Sequence, residues 1–311
     1  MQENSGHTGE AEPSIHELRR ELDELRAEND RLRAELVDLE MLHQSTIEHG
    51  EAVEDQLAEN NILLQKTQAR LEAELTDAAR YVFSILPEHR AEHPHTDHLL
   101  IPSTELGGDS FGYHDIDDDH IAFYLLDVCG HGVGAALLSV TVINVLRASA
   151  LPNADFRDPP AVLAALNEAF PMEKQDNMFF TIWYGVYQRS SGRLDFSSAG
   201  HPPAIHLRPD ADGAVIATEL VTSGGMAVGT FPDMDYERDT VAVLPGDSLL
   251  ILSDGTFEVN GPNGEMLSFQ EFVDFVAADK AVSPVRVHEW VRRWNGDGPL
   301  PDDFSLLQVR F

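Results

Sequence analysis

The sequence predicts an α+β fold in which a sandwich of mostly antiparallel sheets is flanked by helices and preceded by a long helix. Two observations predict the sandwich. Short apolar runs with period-two alternation, separated by turn residues, occupy most of the C-terminal two-thirds, and the helical segments between them come in pairs rather than alternating singly with strands. A third observation predicts the helix. Between Pro13 and Pro87 there is no proline, Gly50 is the only glycine, and Glu, Leu, Ala and Arg dominate.

Taken in order, residues 1–13 read as a disordered N-terminus and residues 14–86 as a coiled-coil helix that Ser14 and Glu17 open with a capping box. Ile15, Leu18, Leu22, Leu25, Asn29, Leu32, Leu36 and Leu39 alternate steps of three and four, the a/d seam of a coiled coil. Asn29 falls at an a position, where a buried amide favours a parallel, in-register pair of helices, so a homodimer is expected. A second seam, Leu57, Asn61, Leu64, Gln68, Leu71, Leu75, Ala78, Val82 and Ile85, is out of frame with the first. The slip is a stutter centred near Gly50, either in a passive dimerisation rod or in one through which an upstream regulator acts. The segment from Glu88 to His98 carries His89, His93, His95 and His98, but Pro94 breaks any helical face between them, so a solvated linker is expected.

Residues 87–311 form the second expected domain. IAFYLLDV, FFTIWYGVY, RLDFSSA, PAIHLR, AVIATEL, DTVAVL, SLLILSD and FSLLQVRF read as strands. Helices are expected at Val133 to Ala150, Pro159 to Phe170, Phe269 to Ala278 and Val285 to Trp294. The first of these is apolar nearly all round and reads as core packing.

Composition bounds the function. A net charge of −33 leaves no surplus of Lys and Arg to neutralise nucleic-acid phosphates or an anionic membrane surface. The longest near-apolar run, Val133 to Leu146, is interrupted by Ser139, Thr141 and Asn144 and is too short to span a bilayer. Neither a basic start nor an apolar leader is visible, and the single cysteine, Cys129, suits a reducing compartment, so a cytoplasmic protein is expected.

Chemistry concentrates at strand ends. Asp109 in GGDSF, Asp127 in LLDVCGHG, Asp254 in LSDGT, and Asp302 with Asp303 in PDDFS each sit where a strand meets a turn. A carboxylate there projects from a sheet rim, and several together make the oxygen cluster that hard divalent cations prefer. Each motif alone is also an ordinary turn sequence.

In combination, and in this order, ELGGDSF, LLDVCGHGVGAALLS, LNEAF, FFTIWYGVY, SSAGHPPAIHLR, PGDSLLILSDGTFE and DDFSLLQVRF resemble the SpoIIE/RsbU-type branch of the PPM serine/threonine phosphatases, relatives of protein phosphatase type 2C, from about Leu75 to Phe311. The resemblance implies a PPM-type β-sandwich with a site for two Mn2+ or Mg2+ ions at one end. It implies that Asp127 bridges the metals with the Val128 carbonyl beside it, and that Asp254 and Asp302 are ligands. Asp109 would hold a metal or a metal-bound water, with Asp303 the less certain neighbour. It further implies hydrolysis of phosphoserine or phosphothreonine on a protein, a STAS-type anti-sigma-factor antagonist in a partner-switching pathway. The alternative is a weak pseudophosphatase serving as a dimeric adaptor.

Departures from the family pattern sharpen the expectations. Gly112 stands where relatives carry another acid, and Asp115 is the nearest substitute, at the wrong offset. Cys129 stands where type 2C relatives place a histidine general acid, which leaves water or His131 to protonate the leaving group. As a nucleophile Cys129 lacks the arginine that closes a cysteine-phosphatase loop, since Ala135 is there, and GHGVGA lacks the crossover of a dinucleotide site. His201, in AGHPP, reads as a structural hydrogen-bonding residue.

Overall fold

The alternation that predicts the strands also decides how they stack. In the computed structural model, which describes residues 14–261, 264–279, 281–296 and 298–311, two compact units are distinguished, residues 1–72 and 73–311. The expected disordered segment 1–13 lies outside the described residues.

Helix α1, Ile15–Ile85, matches the expected long helix and buries no residue. Its capping box is present, with Ser14 N–H donating to Glu17 and Glu17 N–H to Ser14. In residues 15–72 the seam leucines Leu18, Leu25, Leu32 and Leu39 are exposed, as are the helix's other faces.

In the second unit, β2 (Ser110–Asp115), β3 (His120–Val128), β4 (Phe180–Gln188), β5 (Arg193–Ala199) and β8 (Asp239–Ala242) form one sheet in that order. The other sheet runs β1 (His95–Ile101), β10 (Phe304–Arg310), β9 (Ser248–Leu252), β6 (Ala204–Pro209) and β7 (Val215–Leu220). All of these neighbours are antiparallel. Ile121, Phe123 and Leu125 of β3 pack with Trp183 and Phe196 against Leu249, Ile251, Leu307 and Val309 in the layer between the sheets. The alternate residues Ala122, Tyr124, Leu126 and Val128 pack on α2 (Val133–Arg147) and α3 (Pro159–Ala169). Leu250, Leu252, Phe304 and Leu306 likewise meet α4 (Phe269–Ala278) and α5 (Pro284–Asn295). Burial on both faces explains why IAFYLLDV is apolar throughout, and the order of layers is helix, sheet, sheet, helix.

Three expectations change. The segment from His95 onward is strand β1 rather than linker, paired with β10 from His95↔Arg310 to Ile101↔Phe304. Strand β2 was not expected either: its alternation is confined to Phe111 and Tyr113. Helix α2 is not enclosed all round: Val133 and Leu137 are exposed.

Candidate active site

The inner parity of each strand, continued past the apolar core, delivers the polar groups of one rim. Phe111 and Tyr113 point between the sheets, so Asp109, two residues earlier, begins the same series. Ile121, Phe123 and Leu125 lead to Asp127, Leu249 and Ile251 lead to Ser253, and Leu307 and Val309 lead back through Ser305 to Asp303. Asp254 opens a single 3-10 turn directly after β9. The rim is therefore the hydrophilic end of the inter-sheet core.

Electrostatics show how close these carboxylates come. Burial first, then the Asp254, Asp302 and Asp303 charges, push the Asp127 carboxyl up to about 7. Burial and then Asp302 and Glu258 push Asp254 up to about 6. Asp109, 4% exposed, is raised well above the carboxylate range by burial and by Asp127, although the Ser305 and Ser253 hydroxyls oppose this. Its Oδ2 is buried without a hydrogen-bond partner. Among the described residues no three His, Cys, Asp or Glu side chains close into a ready-made metal cage.

The paired acids of the last motif do different things. Asp303 is buried, and its Oδ1 accepts from the Ser103 amide at 2.8 Å and the Ser103 hydroxyl at 3.0 Å, while Oδ2 accepts from the Gly108 amide at 2.8 Å. A Cβ on Gly107 would collide with that carboxylate, one on Gly108 with the Val128 carbonyl, and one on Gly255 with the Asp303 carbonyl. The glycines of GGD and SDG are thus the clearance that lets Asp303 clamp the three motifs together. Asp302 is exposed, and its Oδ1 accepts only from the Asp303 amide. The Gly132 amide donates to Leu106 O at 3.0 Å, which holds the GGD loop against the turn after β3.

The departures have packing roles. Tyr124 lies over Gly112, where a Cβ would touch its ring. Asp115 does not substitute at the rim: it ends β2 and pairs with Arg189 and Arg90. Cys129 Sγ accepts from the Phe179 amide at 3.2 Å, and the Cys129 amide donates to Phe179 O. His131 is exposed in the glycine turn, where Gly130 and Gly132 have φ of 86° and 92°. His201 is buried, with Nδ1 2.8 Å from Thr181 Oγ1. Thr181, cross-strand partner of Asp127, escaped the sequence reading because only register reveals it.

The family described as Stage II sporulation protein E (SpoIIE) matches residues 117–311, more than half of the chain. The chain belongs to the SpoIIE family. Phosphoserine phosphatase RsbU of Bacillus subtilis is 26% identical over 216 residues, covering 68% of this chain and 62% of RsbU, so this SpoIIE-family chain spans less than two-thirds of that relative. The SiaA-PP2C domain of Pseudomonas aeruginosa shares the fold at TM-score 0.67 and 22% identity, over 79% of this chain and 98% of that domain. The PP2C phosphatase domain of SpoIIE from Bacillus subtilis does so at TM-score 0.57 and 20% identity, over 70% and 62%. The PP2C fold of this SpoIIE-family chain agrees with the expected sandwich. Asp127, Asp254 and Asp302 lie in the matched segment, whereas Asp109 precedes it and is tied to the site by the structure alone.

Proposed function

We propose that residues 87–311 hydrolyse phosphoserine or phosphothreonine on a protein, with divalent cations held at the carboxylate rim. The observation that carries this reading is the set of acids at one rim of the sandwich, Asp109, Asp127 and Asp254, whose carboxyls are raised first by burial and then by neighbouring carboxylates. Such a cluster is relieved by protons or by cations.

The donors are all hard oxygens, which fits Mn2+ or Mg2+. Asp127 with the Val128 carbonyl, Asp254 and Asp302 would hold two ions, and the unpartnered Oδ2 of Asp109 suits a metal or a metal-bound water. Cations held there would supply the Lewis acidity that activates water and offsets charge on the phosphoryl oxygens. The chain's own work is positioning. Asp303, fully engaged by Ser103 and Gly108, keeps the motif loops in place and leaves Asp302 free to coordinate. Water or the exposed His131 supplies the proton to the leaving oxygen.

The substrate proposed from the sequence resemblance is a phosphorylated STAS-domain protein in a partner-switching pathway; the relative RsbU is named a phosphoserine phosphatase. The exposed seam of α1 favours a homodimer and offers an upstream regulator a surface to act on. The strongly negative charge disfavours nucleic acid and anionic membranes as partners, and no described helix is long and apolar enough to cross a membrane. With Cys129 as the sole cysteine, the cytoplasm suits the protein. With Mn2+ the protein is expected to release phosphate from a phosphoserine peptide, and Asp127→Asn and Asp254→Asn to lose at least a thousandfold. Undiminished turnover in both variants would refute the assignment.

The adaptor reading is motivated by Gly112 and Cys129. Both residues are used in packing, against Tyr124 and the Phe179 backbone, which weakens that motive.

A further inference from the structure

We propose that His201 and Thr181 form a positioning strut that fixes Asp127 relative to Asp254; the inference rests on the phosphatase reading above. His201 follows β5 and is 7% exposed. Its Nδ1 meets the Thr181 hydroxyl at 2.8 Å. Thr181 is directly opposite Asp127 in the β3–β4 ladder, so the two side chains share the inner face, with Cβ atoms about 5 Å apart. His201 lies in the crossing from β5, in the sheet of Thr181, to β6 in the other sheet, and β6 pairs with β9, which ends at Leu252 two residues before Asp254. The crossing that carries the imidazole therefore spans the sandwich at the rim, between the strand ends that present the two carboxylates.

The protonation state suits a strut. Burial lowers the His201 pKa to about 3, so the ring is neutral, with one donor and one acceptor. Nδ1 accepting from Thr181 leaves the proton on Nε2, which is buried without a hydrogen-bond partner. The backbone of His201 is also held. Its carbonyl accepts from the Ser198 hydroxyl at 3.1 Å, Gly200 before it has a φ of 68°, and two prolines after it restrict the chain. A core histidine with only a packing role has no need to reach the partner of one carboxylate. Residues that orient ligands in this way are worth about 10–100-fold in metal affinity.

The test uses the full chain, with Thr181→Val, Thr181→Ser, His201→Gln and the Thr181→Val/His201→Gln double variant. The readouts are Mn2+ affinity by calorimetry, kcat and KM on a phosphoserine peptide, and the melting midpoint in EDTA. Thr181→Val, which keeps the shape but loses the hydroxyl, is expected to weaken Mn2+ binding about tenfold. It should also lower kcat with KM for the peptide unchanged. Thr181→Ser is expected to restore both, and the double variant to be no worse than His201→Gln alone. Should His201→Gln fail to fold, the two Thr181 variants carry the test. Wild-type Mn2+ affinity and kcat in Thr181→Val, or an equal loss in Thr181→Ser, overturns the strut alone. A wild-type protein that binds no Mn2+ overturns the phosphatase reading and the strut with it.

Discussion

Asp127 is held where its own ionisation is unfavourable, and this makes a prediction that separates function from stability. Its carboxyl is raised to about 7 by burial and by Asp254, Asp302 and Asp303, against an ordinary value of about 4. A group raised on folding stabilises the native state below its unfolded value, and that contribution is lost as pH rises through the folded value. In EDTA, therefore, the protein should lose stability between about pH 4 and pH 7, with Asp254, raised to about 6, acting in the same sense. Asp127→Asn removes the repulsion and is expected to flatten that loss, stabilising the metal-free protein at pH 7.5 by on the order of 1–2 kcal/mol while abolishing turnover. Chemical denaturation in EDTA at pH 5 and pH 7.5 measures it; a destabilised variant at pH 7.5 would contradict the account. The five acids were legible in the sequence because each lies where a strand meets a turn. What Asp303 does was not, because its hydrogen bonds reach Ser103 and Gly108, 200 and 195 positions away, and only folding brings them together.

At the level of elements, the strands that sequence revealed most plainly are those buried on both faces, such as β3 and β4, whose apolar runs are unmistakable. Edge position did not decide the matter, since β7 and β8 close the opposite edges and were expected, whereas β1 and β2, at the other two edges, were not. In β1 the series HTDH is polar, with His98 stacked on His89 at 4.1 Å and pushed down to about 4 by burial and by His89. Helix α1 was legible from end to end because heptad spacing is local. What its last turn and the residue beyond it pack against was not. Ile85 packs on the core between sheet and helices, and Leu86 on the core between the sheets. For the rod itself, Leu25 and Leu32 should bury on self-association. Changing both to Lys is expected to give a monomer by sedimentation at concentrations where the wild type is a dimer. Asn29→Leu should raise the melting temperature of the assembly while relaxing its two-stranded state. A wild-type monomer would remove the dimer proposal.

At the scale of the molecule, a net charge of −33 means that the chain repels itself wherever it is compact. Screening over a Debye length of about 10 Å at 0.1 M salt relieves part of that repulsion. Raising NaCl from about 20 to 200 mM should therefore lift the melting midpoint by several degrees, as scanning calorimetry in EDTA measures. A midpoint that falls with salt would show that ion pairs such as Arg208 with Asp247, at 2.7 Å, outweigh the net charge. The Asp303 clamp reaches further than stability. Because one carboxylate fills the clearance of Gly107, and its own backbone that of Gly255, a lineage that stopped needing the reaction would have no gradual way to lose these motifs. Replacing Gly107 first would displace the aspartate, and losing the aspartate first would free Gly107 but not Gly255, which faces backbone. Among descendants that have abandoned catalysis, Gly107 and the second acid of DDF should accordingly have vanished together and Gly255 should persist, while the first acid, Asp302, decays on its own schedule.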